Sequence, residues 1–208
     1  MNINLVKPYN QTTPIFSGKF NKTAAGLSDI FTRKTIDIGS GEDYPADILS
    51  NFTESHFTLD GKKINSMEGF LQSLKTPDIE EQEQVCRLTG YQAKKMSHKF
   101  KKRPDFSLKR IYWNGKEFDR DSIQFQNLLK KAYEAKYDAD IEFRQALNAS
   151  KHAKLVHTIG KNSTKETILT QNEFVDILQY LRHYYKYKRA FLNLFKSLAE
   201  KIKQLGVT

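Results

Sequence analysis

The chain has 208 residues, 38% of them hydrophobic and 12% aromatic, which is enough for one domain with a sizeable core and argues against a disordered protein. No apolar run approaches the ~20 residues that cross a bilayer, and residues 1–20 lack the layout of a signal peptide, so we expect a cytoplasmic protein. Cys86 is the only cysteine, which excludes an intrachain disulfide and a cysteine-rich zinc site.

The formal net charge of +10 is concentrated in two segments. Residues 94–110 hold eight basic residues against Asp105, a net charge of +7, and residues 183–208 hold six against Glu200, a net charge of +5. Together they carry +12, so the rest of the chain carries −2. Such segments attract the phosphates of nucleic acids, dinucleotides or lipids, although a lysine-rich solvated surface has the same composition.

The N-terminal part of the chain is predicted to form an arm, a strand and a hairpin. Residues 1–35 are polar and broken by prolines and glycines, which indicates an irregular arm, and residues 36–38 could form a short strand. Asp60-Gly61 lies between two β-like stretches and predicts a hairpin over residues 57–64, because this pair accepts the positive φ angles of a tight turn.

Helices follow the hairpin. Asn65, with Glu68 three places later, is expected to cap the first of them, and Thr76-Pro77 should separate it from the second. Gly90 is expected to end the second helix, and residues 91–99 look helical as well.

The second half of the chain is predicted to be mainly helical. Asp121-Ser122 should open a helix, Asp140 should cap another, residues 155–159 look like a strand, and Asn172 should begin the longest helix. The expected fold class is therefore α+β, a single helix-dominated domain with a few short strands.

Two motifs in the first half of the chain carry a family resemblance. The first is Ile-Leu-Ser-Asn-Phe at residues 48–52 followed by Phe-Thr-Leu-Asp-Gly at 57–61, and the second is the stretch 66–75, with Ser-x-Glu at its start and Gln-x-x-Lys at its end. In this order and spacing they resemble the NADAR/YbiA-like family of N-glycosidases. Shorter similarities, at residues 93–95, 128–137, 155–158 and 174–182, extend the resemblance to roughly residues 44–182.

The resemblance implies a YbiA-like catalytic domain over residues 36–182, between the N-terminal arm 1–35 and a basic amphipathic C-terminal helix, 183–208. It also implies a hydrolase that cleaves a ribosyl C1′–N bond in an ADP-ribosylated or ribosylated base.

Helical geometry brings the polar residues of the second motif together. Glu68, Gln72 and Lys75 lie at i, i+4 and i+7, within about 60° of one another around a helix, and the ends of this row are about 10 Å apart along the axis. An apolar stripe adjoins it, formed by Met67, Leu71 and Leu74. This arrangement suits the wall of a cleft, although the polar side of an exposed helix has the same spacing.

Two of these residues are the candidate catalytic groups. A carboxylate at Glu68 could stabilise positive charge on the sugar and activate water, as in glycoside hydrolysis. The resemblance favours a lysine that attacks the ring-opened sugar and forms a Schiff base, and Lys75 is the matching position. The apolar stripe beside Lys75 should lower the pKa of its amine.

Further residues are candidates for holding the substrate. Asn51 has the donors and acceptors to bind ribose hydroxyls, and Trp113 could stack on a base or be a half-buried turn aromatic. His157 is equally compatible with a structural role, and the hydroxyls of the 160–167 loop could contact phosphate or base or be structural. The complete substrate-binding set is Ser50, Asn51, Phe52, Gln72, Trp113, His157, Ser163 and Thr167.

The loop at residues 160–165 reads Gly-Lys-Asn-Ser-Thr-Lys and lacks the acidic residue and Trp-Gly pair of many YbiA-like members. It is closer to the branch that reverses guanine ADP-ribosylation. The expected partner is therefore ADP-ribosylated guanine in nucleic acid or nucleotide, with a functional pairing to a DNA ADP-ribosyltransferase. Two alternatives stay open, an N-glycosidase on riboflavin-pathway intermediates and a non-catalytic module that binds ADP-ribose or nucleic acid.

No cofactor and no metal are predicted, because no metal-ligand spacing of His and Cys occurs. The C-terminal helix repeats apolar residues at spacings of 4, 3, 4 and 3, the seam of Phe191, Phe195, Leu198, Ile202 and Leu205. This seam could pack on its own domain, form a homodimer or lie on a membrane surface.

Overall fold

The computed structural model describes residues 34–204, apart from the side chains of some positions between 185 and 204. Within that range, seven helices and six short strands confirm the predicted α+β class with helix dominant. Their bounds are β1 (Thr35–Asp37), α1 (Ala46–Leu49), β2 (Glu54–Leu59), β3 (Lys62–Ser66), α2 (Met67–Ser73), α3 (Ile79–Cys86), α4 (Gly90–Lys101), β4 (Arg110–Trp113), β5 (Lys116–Asp119), α5 (Ile123–Ala139), α6 (Ile141–Ala149), β6 (Lys154–Val156) and α7 (Gln171–Gln204).

The strands form three separate pairs. β2 and β3 form the predicted antiparallel hairpin, in which Asp60 and Gly61 have φ angles of 49° and 82° at the turn. β1 and β6 pair in parallel, a long-range contact that no local signal indicates. β6 ends at Val156 rather than Ile159, because its partner strand ends at Asp37.

A second hairpin, β4–β5, was not predicted. Asn114 and Gly115 form its turn with φ angles of 51° and 77°. An Asn-Gly pair is a strong hairpin signal, so this turn was detectable from the sequence.

Side-chain caps begin two helices at the predicted positions. Ser122 Oγ accepts a hydrogen bond from the Phe125 amide (3.2 Å), and Asp140 Oδ1 accepts one from the Phe143 amide (2.9 Å). Each cap satisfies an amide that the first helical turn leaves without a backbone partner.

The start of α2 differs from the prediction. Ser66 is the cap, since its Oγ accepts from the Gly69 amide (2.9 Å), whereas the Asn65 amide group donates to the Arg87 carbonyl (2.7 Å). The predicted capping pair of Asn65 and Glu68 is wrong because β3 continues through Ser66. Glu68 instead faces the cavity described below.

Gly90 begins α4 rather than ending α3, which corrects a second prediction. A Cβ at this position would lie 2.3 Å from the Phe52 Cα and 2.4 Å from the Phe52 carbonyl oxygen. The glycine therefore allows two backbone segments to touch, which a cap rule based on local sequence does not anticipate.

Helix α2 lies inside the fold. All seven of its residues are buried, and it packs against β3, α3 and α4. The apolar side chains Phe125, Leu128, Leu129, Ala132 and Tyr133 of α5 are buried as well, and Phe70, Phe125 and Tyr133 are among the largest fully buried side chains. Polar groups on α2 consequently reach solvent through a cavity.

Helix α7 runs without interruption across the predicted boundary between residues 182 and 183. Its first turns bury Phe174, Leu178 and Leu181, while Phe191 and Phe195 are exposed. No helix in residues 34–204 has the length and hydropathy of a bilayer span. The predicted N-terminal arm lies outside the described residues except for its last two positions.

Candidate active site

The turn that follows α1 is joined to the start of α2. Ser50 Oγ accepts a hydrogen bond from the Phe52 amide (3.2 Å), and the Asn51 carbonyl accepts one from the Glu68 amide (2.8 Å). Gly90 holds the other side of this turn through its contact with Phe52. The two motifs of the sequence resemblance are thus adjacent in space.

The Asn51 side chain is oriented by a buried tyrosine. Tyr133, on α5, donates its hydroxyl to Asn51 Oδ1 at 2.6 Å. Burial raises the pKa of Tyr133 well above its ordinary value, so the phenol stays protonated and keeps donating. This bond uses the amide oxygen of Asn51 and directs its NH₂ group toward other partners.

Glu68, Gln72 and Lys75 form a continuous hydrogen-bonded row. Gln72 Nε2 donates to Glu68 Oε1 (2.7 Å), and Lys75 Nζ donates to Gln72 Oε1 (2.6 Å). Glu68 and Gln72 are each 5% exposed. The Gln72 amide therefore positions both the Glu68 carboxylate and the Lys75 amine. The predicted i, i+4, i+7 arrangement is present, although α2 itself ends at Ser73.

The amine of Lys75 is held from a second side by Ser97 on α4, whose Oγ accepts from Nζ at 2.8 Å. The pKa of Lys75 is lowered from 10.5 to about 8, chiefly because burial disfavours the charged form. The Glu68 carboxylate opposes this shift, and Lys94 and Lys101 add to it. The direction agrees with the expectation from the neighbouring apolar stripe.

Helix α4, which packs against α2, supplies a second wall. Lys94, Ser97, His98 and Lys101 follow one another at i, i+3, i+4 and i+7, the spacing of one helical face, and all four line the cavity. Lys94 Nζ lies 3.5 Å from Glu68 Oε1. Part of the basic segment 94–110 therefore faces the candidate catalytic groups.

His157 follows β6 and has a defined tautomer. Its Nδ1 is 2.7 Å from the Ile38 carbonyl oxygen, which can only accept, so Nδ1 carries a proton and Nε2 is the acceptor of the neutral ring. The ring packs edge-on against Phe174 at 5.1 Å. Its position depends on the β1–β6 pairing.

A buried ion pair supports the loop beyond His157. Arg120 is 1% exposed and contacts both carboxylate oxygens of Glu173, at 3.0 and 2.6 Å. Arg120 Nε also donates to the Thr167 carbonyl (3.3 Å), and the Thr167 hydroxyl donates to the Leu169 carbonyl (3.0 Å). This network holds in place the part of the cavity wall that Thr167 and its neighbours form.

These elements enclose a cavity of about 530 Å³, which falls within the range of small-molecule sites. Eight predicted site residues line it: Ser50, Asn51, Phe52, Glu68, Gln72, Lys75, His157 and Thr167. The rest of its lining is partly apolar, with Leu71 and Ile168 among the contributors. The two motifs, the histidine and the loop thus meet at one space.

Two predicted residues lie elsewhere. Trp113 is 2% exposed, donates to Asp60 Oδ2 (2.9 Å) and packs edge-on against Phe70 at 5.0 Å, so it belongs to the core and cannot stack on a base in the cavity. Ser163 is not among the lining residues and accepts a hydrogen bond from the Lys165 amide (3.3 Å). Tertiary packing decides the position of Trp113, whose partner Asp60 is 53 residues away, whereas the partner of Ser163 is only two residues along the chain.

Sequence reasoning missed four contributors: Lys94, Ser97, Tyr133 and Arg120. The helical spacing of residues 94–101 was visible in the sequence, whereas the partners of Tyr133 and Arg120 are more than 45 residues away. Across residues 34–204, no group of three or more His, Cys, Asp or Glu side chains is arranged to bind a metal.

Known proteins resemble this chain in sequence and in structure. Residues 43–183 match the family model described as bacteriophage protein GP30.3. An uncharacterized 17.1 kDa protein from the Gp30-rIII intergenic region of Enterobacteria phage T4 is 36% identical over 151 residues, which cover 71% of this chain and 96% of the phage protein.

The NMR structure of the E. coli protein YbiA has a similar fold, with a TM-score of 0.53, 22% identity, and coverage of 77% of this chain and 89% of YbiA. This likeness confirms the predicted YbiA-like fold. The family match begins before the Ser50–Phe52 turn and continues beyond the loop that carries Thr167, so it includes all the lining residues of the cavity except Ser40. The chain therefore belongs to the bacteriophage GP30.3 protein family.

Proposed function

We propose that the protein is an N-glycosidase that removes ADP-ribose from ADP-ribosylated guanine by cleaving the ribosyl C1′–N bond. The observation that carries this proposal is the hydrogen-bonded row of Glu68, Gln72 and Lys75 on the wall of a cavity of about 530 Å³. An acid and a desolvated amine that face one space are the groups that such a cleavage can use.

Glu68 would stabilise the sugar as the bond breaks. In this route the C1′–N electron pair leaves with the base, which takes up a proton, and C1′ becomes electron-poor. The carboxylate faces this positive charge, then accepts a proton from the water that adds to C1′. Its 5% exposure supports the role, since charges interact more strongly away from solvent.

Lys75 would act by a covalent route. The C1′–O4′ bond opens, the neutral amine adds to C1′, and the base leaves with the C1′–N electrons, which yields a Schiff base between Lys75 and the sugar. Water then hydrolyses the Schiff base, which releases the free amine and an aldehyde that closes back to the ring. A neutral amine has two N–H groups, and Gln72 Oε1 and Ser97 Oγ accept two hydrogen bonds, so the lone pair is left for the attack.

Asn51 and His157 would hold the substrate. The NH₂ group of Asn51 can donate to ribose hydroxyls because Tyr133 occupies its oxygen. The Nε2 acceptor of His157 can receive an N–H group of the base, since Nδ1 is bound to a carbonyl. Guanine carries such N–H groups on its pairing edge.

The test compares three variants on one substrate, an oligonucleotide with ADP-ribosylated guanine. Glu68→Gln and Lys75→Met should each reduce ADP-ribose release by at least about a hundredfold, since they remove a reacting group. Lys95→Met is the matched control, because Lys95 is on α4, contacts the Tyr91 ring and does not line the cavity. Wild-type release by both site variants would refute the assignment.

Borohydride separates the two routes. Reduction during turnover should trap an adduct on wild type but not on Lys75→Met, whereas a pure Glu68 route yields no adduct on either. A substrate panel of modified DNA, modified nucleotide and ribosylated riboflavin precursors identifies the leaving group. Binding of ADP-ribose with no turnover of any substrate would instead indicate a binding module, and an ADP-ribosyltransferase encoded nearby would support the proposed pairing.

A further inference from the structure

Several cations converge on the cavity beside the Glu68–Gln72–Lys75 row. Lys94 and Lys101 occupy one face of α4, with His98 between them in the sequence, and Lys161 lines the cavity from the loop that follows His157. The carboxylates that line the same space are Glu68 and Glu166. Positive side chains therefore outnumber negative ones around a cavity that is partly apolar.

Two of these lysines are close enough to the Lys75 amine to interact with it. The ammonium groups of Lys94 and Lys101 both lower the pKa of Lys75. Lys94 lies 3.5 Å from Glu68 Oε1, but in the described part of the chain neither Lys101 nor Lys161 is paired with a carboxylate. Like charges that face one space without counter-ions are destabilising, and an anion bound between them would relieve this.

We propose that Lys101 and Lys161, with His98 beside them, bind a phosphate attached to the 5′ oxygen of the substrate ribose. This subsite rests on the glycosidase function proposed above, since the bound sugar must place C1′ at Lys75 and its 5′ end toward Lys101 and Lys161. It narrows the substrates to 5′-phosphorylated ribosides, of which an ADP-ribosyl group is one.

The geometry of α4 suits a cavity in which the sugar reacts at one end and its phosphate binds at the other. Lys94 and Lys101 are seven residues apart, about 10 Å along the helix axis, with Ser97 and the Lys75 amine between them. Lys94 is engaged with Glu68, so it belongs to the reacting end. Lys101 lies one helical turn beyond Ser97, where the far end of a sugar bound at Lys75 would reach.

The test measures binding of ribose 5-phosphate and of ribose to the full-length protein by calorimetry. Ribose 5-phosphate should bind at least about tenfold more tightly than ribose, because charge-assisted hydrogen bonds are stronger than neutral ones. The double variant Lys101→Gln and Lys161→Gln should lose most of this preference.

The matched control is Lys95→Gln with Lys102→Gln, which removes the same charge from two exposed lysines that do not line the cavity. This control should change binding of ribose 5-phosphate by less than about twofold at physiological salt, where charges beyond a Debye length are screened. Equal losses in both double variants would indicate a general electrostatic field and refute the subsite. Equal binding of ribose and ribose 5-phosphate would refute it as well.

Other probes distinguish the source of the phosphate. Binding of ADP-ribose should depend on Lys101 and Lys161 in the same way as binding of ribose 5-phosphate. If binding of an unmodified single-stranded oligonucleotide depends on Lys101 and Lys161 while ribose 5-phosphate does not bind, the two lysines contact a nucleic-acid backbone. That result would refute the 5′-phosphate subsite. Because all these measurements are of binding, they remain informative if Lys75→Met proves fully active and the covalent route fails.

Discussion

Raising the pH should convert Lys75 into a nucleophile well below the pH at which an ordinary lysine loses its proton. Burial lowers the pKa of Lys75 from 10.5 to about 8. The amine of Lys75 is protonated and inactive below that value, so its reactivity rises with pH and levels off above it. At pH 7 about one-tenth of the amine is neutral, compared with roughly one part in 3,000 for an unperturbed lysine.

This titration sets the size of the expected effect. Formation of the Schiff base should accelerate about 50-fold between about pH 6 and pH 8, since the neutral fraction rises from about 1% to one-half. Lys94→Met should move the rise to higher pH, because the Lys94 ammonium contributes to the lowered pKa of Lys75. Removing a nearby cation makes protonation of Lys75 easier.

The assay is the rate of borohydride-trapped adduct over this pH range, with Lys75→Met as the background. The Lys75 amine can also be titrated directly by NMR after ¹³C reductive methylation, which retains its basic character. A trapping rate that is independent of pH, or that rises only near pH 10, would show that the amine is not desolvated and would refute the reasoning.

Three further predictions concern stability and assembly. Gly90→Ala should reduce the free energy of unfolding by about 1–3 kcal/mol in chemical denaturation, because its Cβ would lie 2.3 Å from the Phe52 Cα, and an unchanged midpoint would contradict the close approach. Lys136 is fully buried with a pKa lowered by desolvation from 10.5 to about 8, so the unfolded state binds more protons between those pH values and stability should rise with pH there. Because Lys75 has the same lowered pKa, Lys136→Met should remove about half of that rise and stabilise the protein by about 3 kcal/mol near pH 7, whereas an unchanged pH dependence of unfolding would show that Lys136 does not contribute to it. If the seam that includes the exposed Phe191 and Phe195 forms a homodimer, Phe191→Glu with Phe195→Glu should halve the mass measured by sedimentation, and a wild-type mass that already equals the monomer would exclude this dimer.

Interactions between residues close in the chain were predictable from the sequence. The Asp60-Gly61 turn and the caps at Ser122 and Asp140 each depend on a few neighbouring residues, and the structure has them as predicted. The errors at Asn65 and Gly90 show the limit of such rules. Each residue satisfies a local cap pattern, but strand pairing and a backbone contact with a distant turn decide its role instead.

The candidate site likewise depends partly on local spacing in the sequence and partly on long-range packing. Helical periodicity alone brings Glu68, Gln72 and Lys75 to one side, because a fixed rotation per residue relates positions within a helix. Whether that side meets solvent or a cavity depends on what packs over it. Ser97 and the lysines of α4 provide that cover, and they reach it through the packing of α2 against α4.

The sequence by itself determined most of the helices, the caps at Ser122 and Asp140, and the order of polar groups along α2, since these follow from interactions over a few residues. Only the tertiary structure decided that the Lys75 amine is desolvated, that Tyr133 orients Asn51, and that Trp113 is core. Desolvation and long-range hydrogen bonds depend on which distant segments meet, and that is a property of the packed chain as a whole.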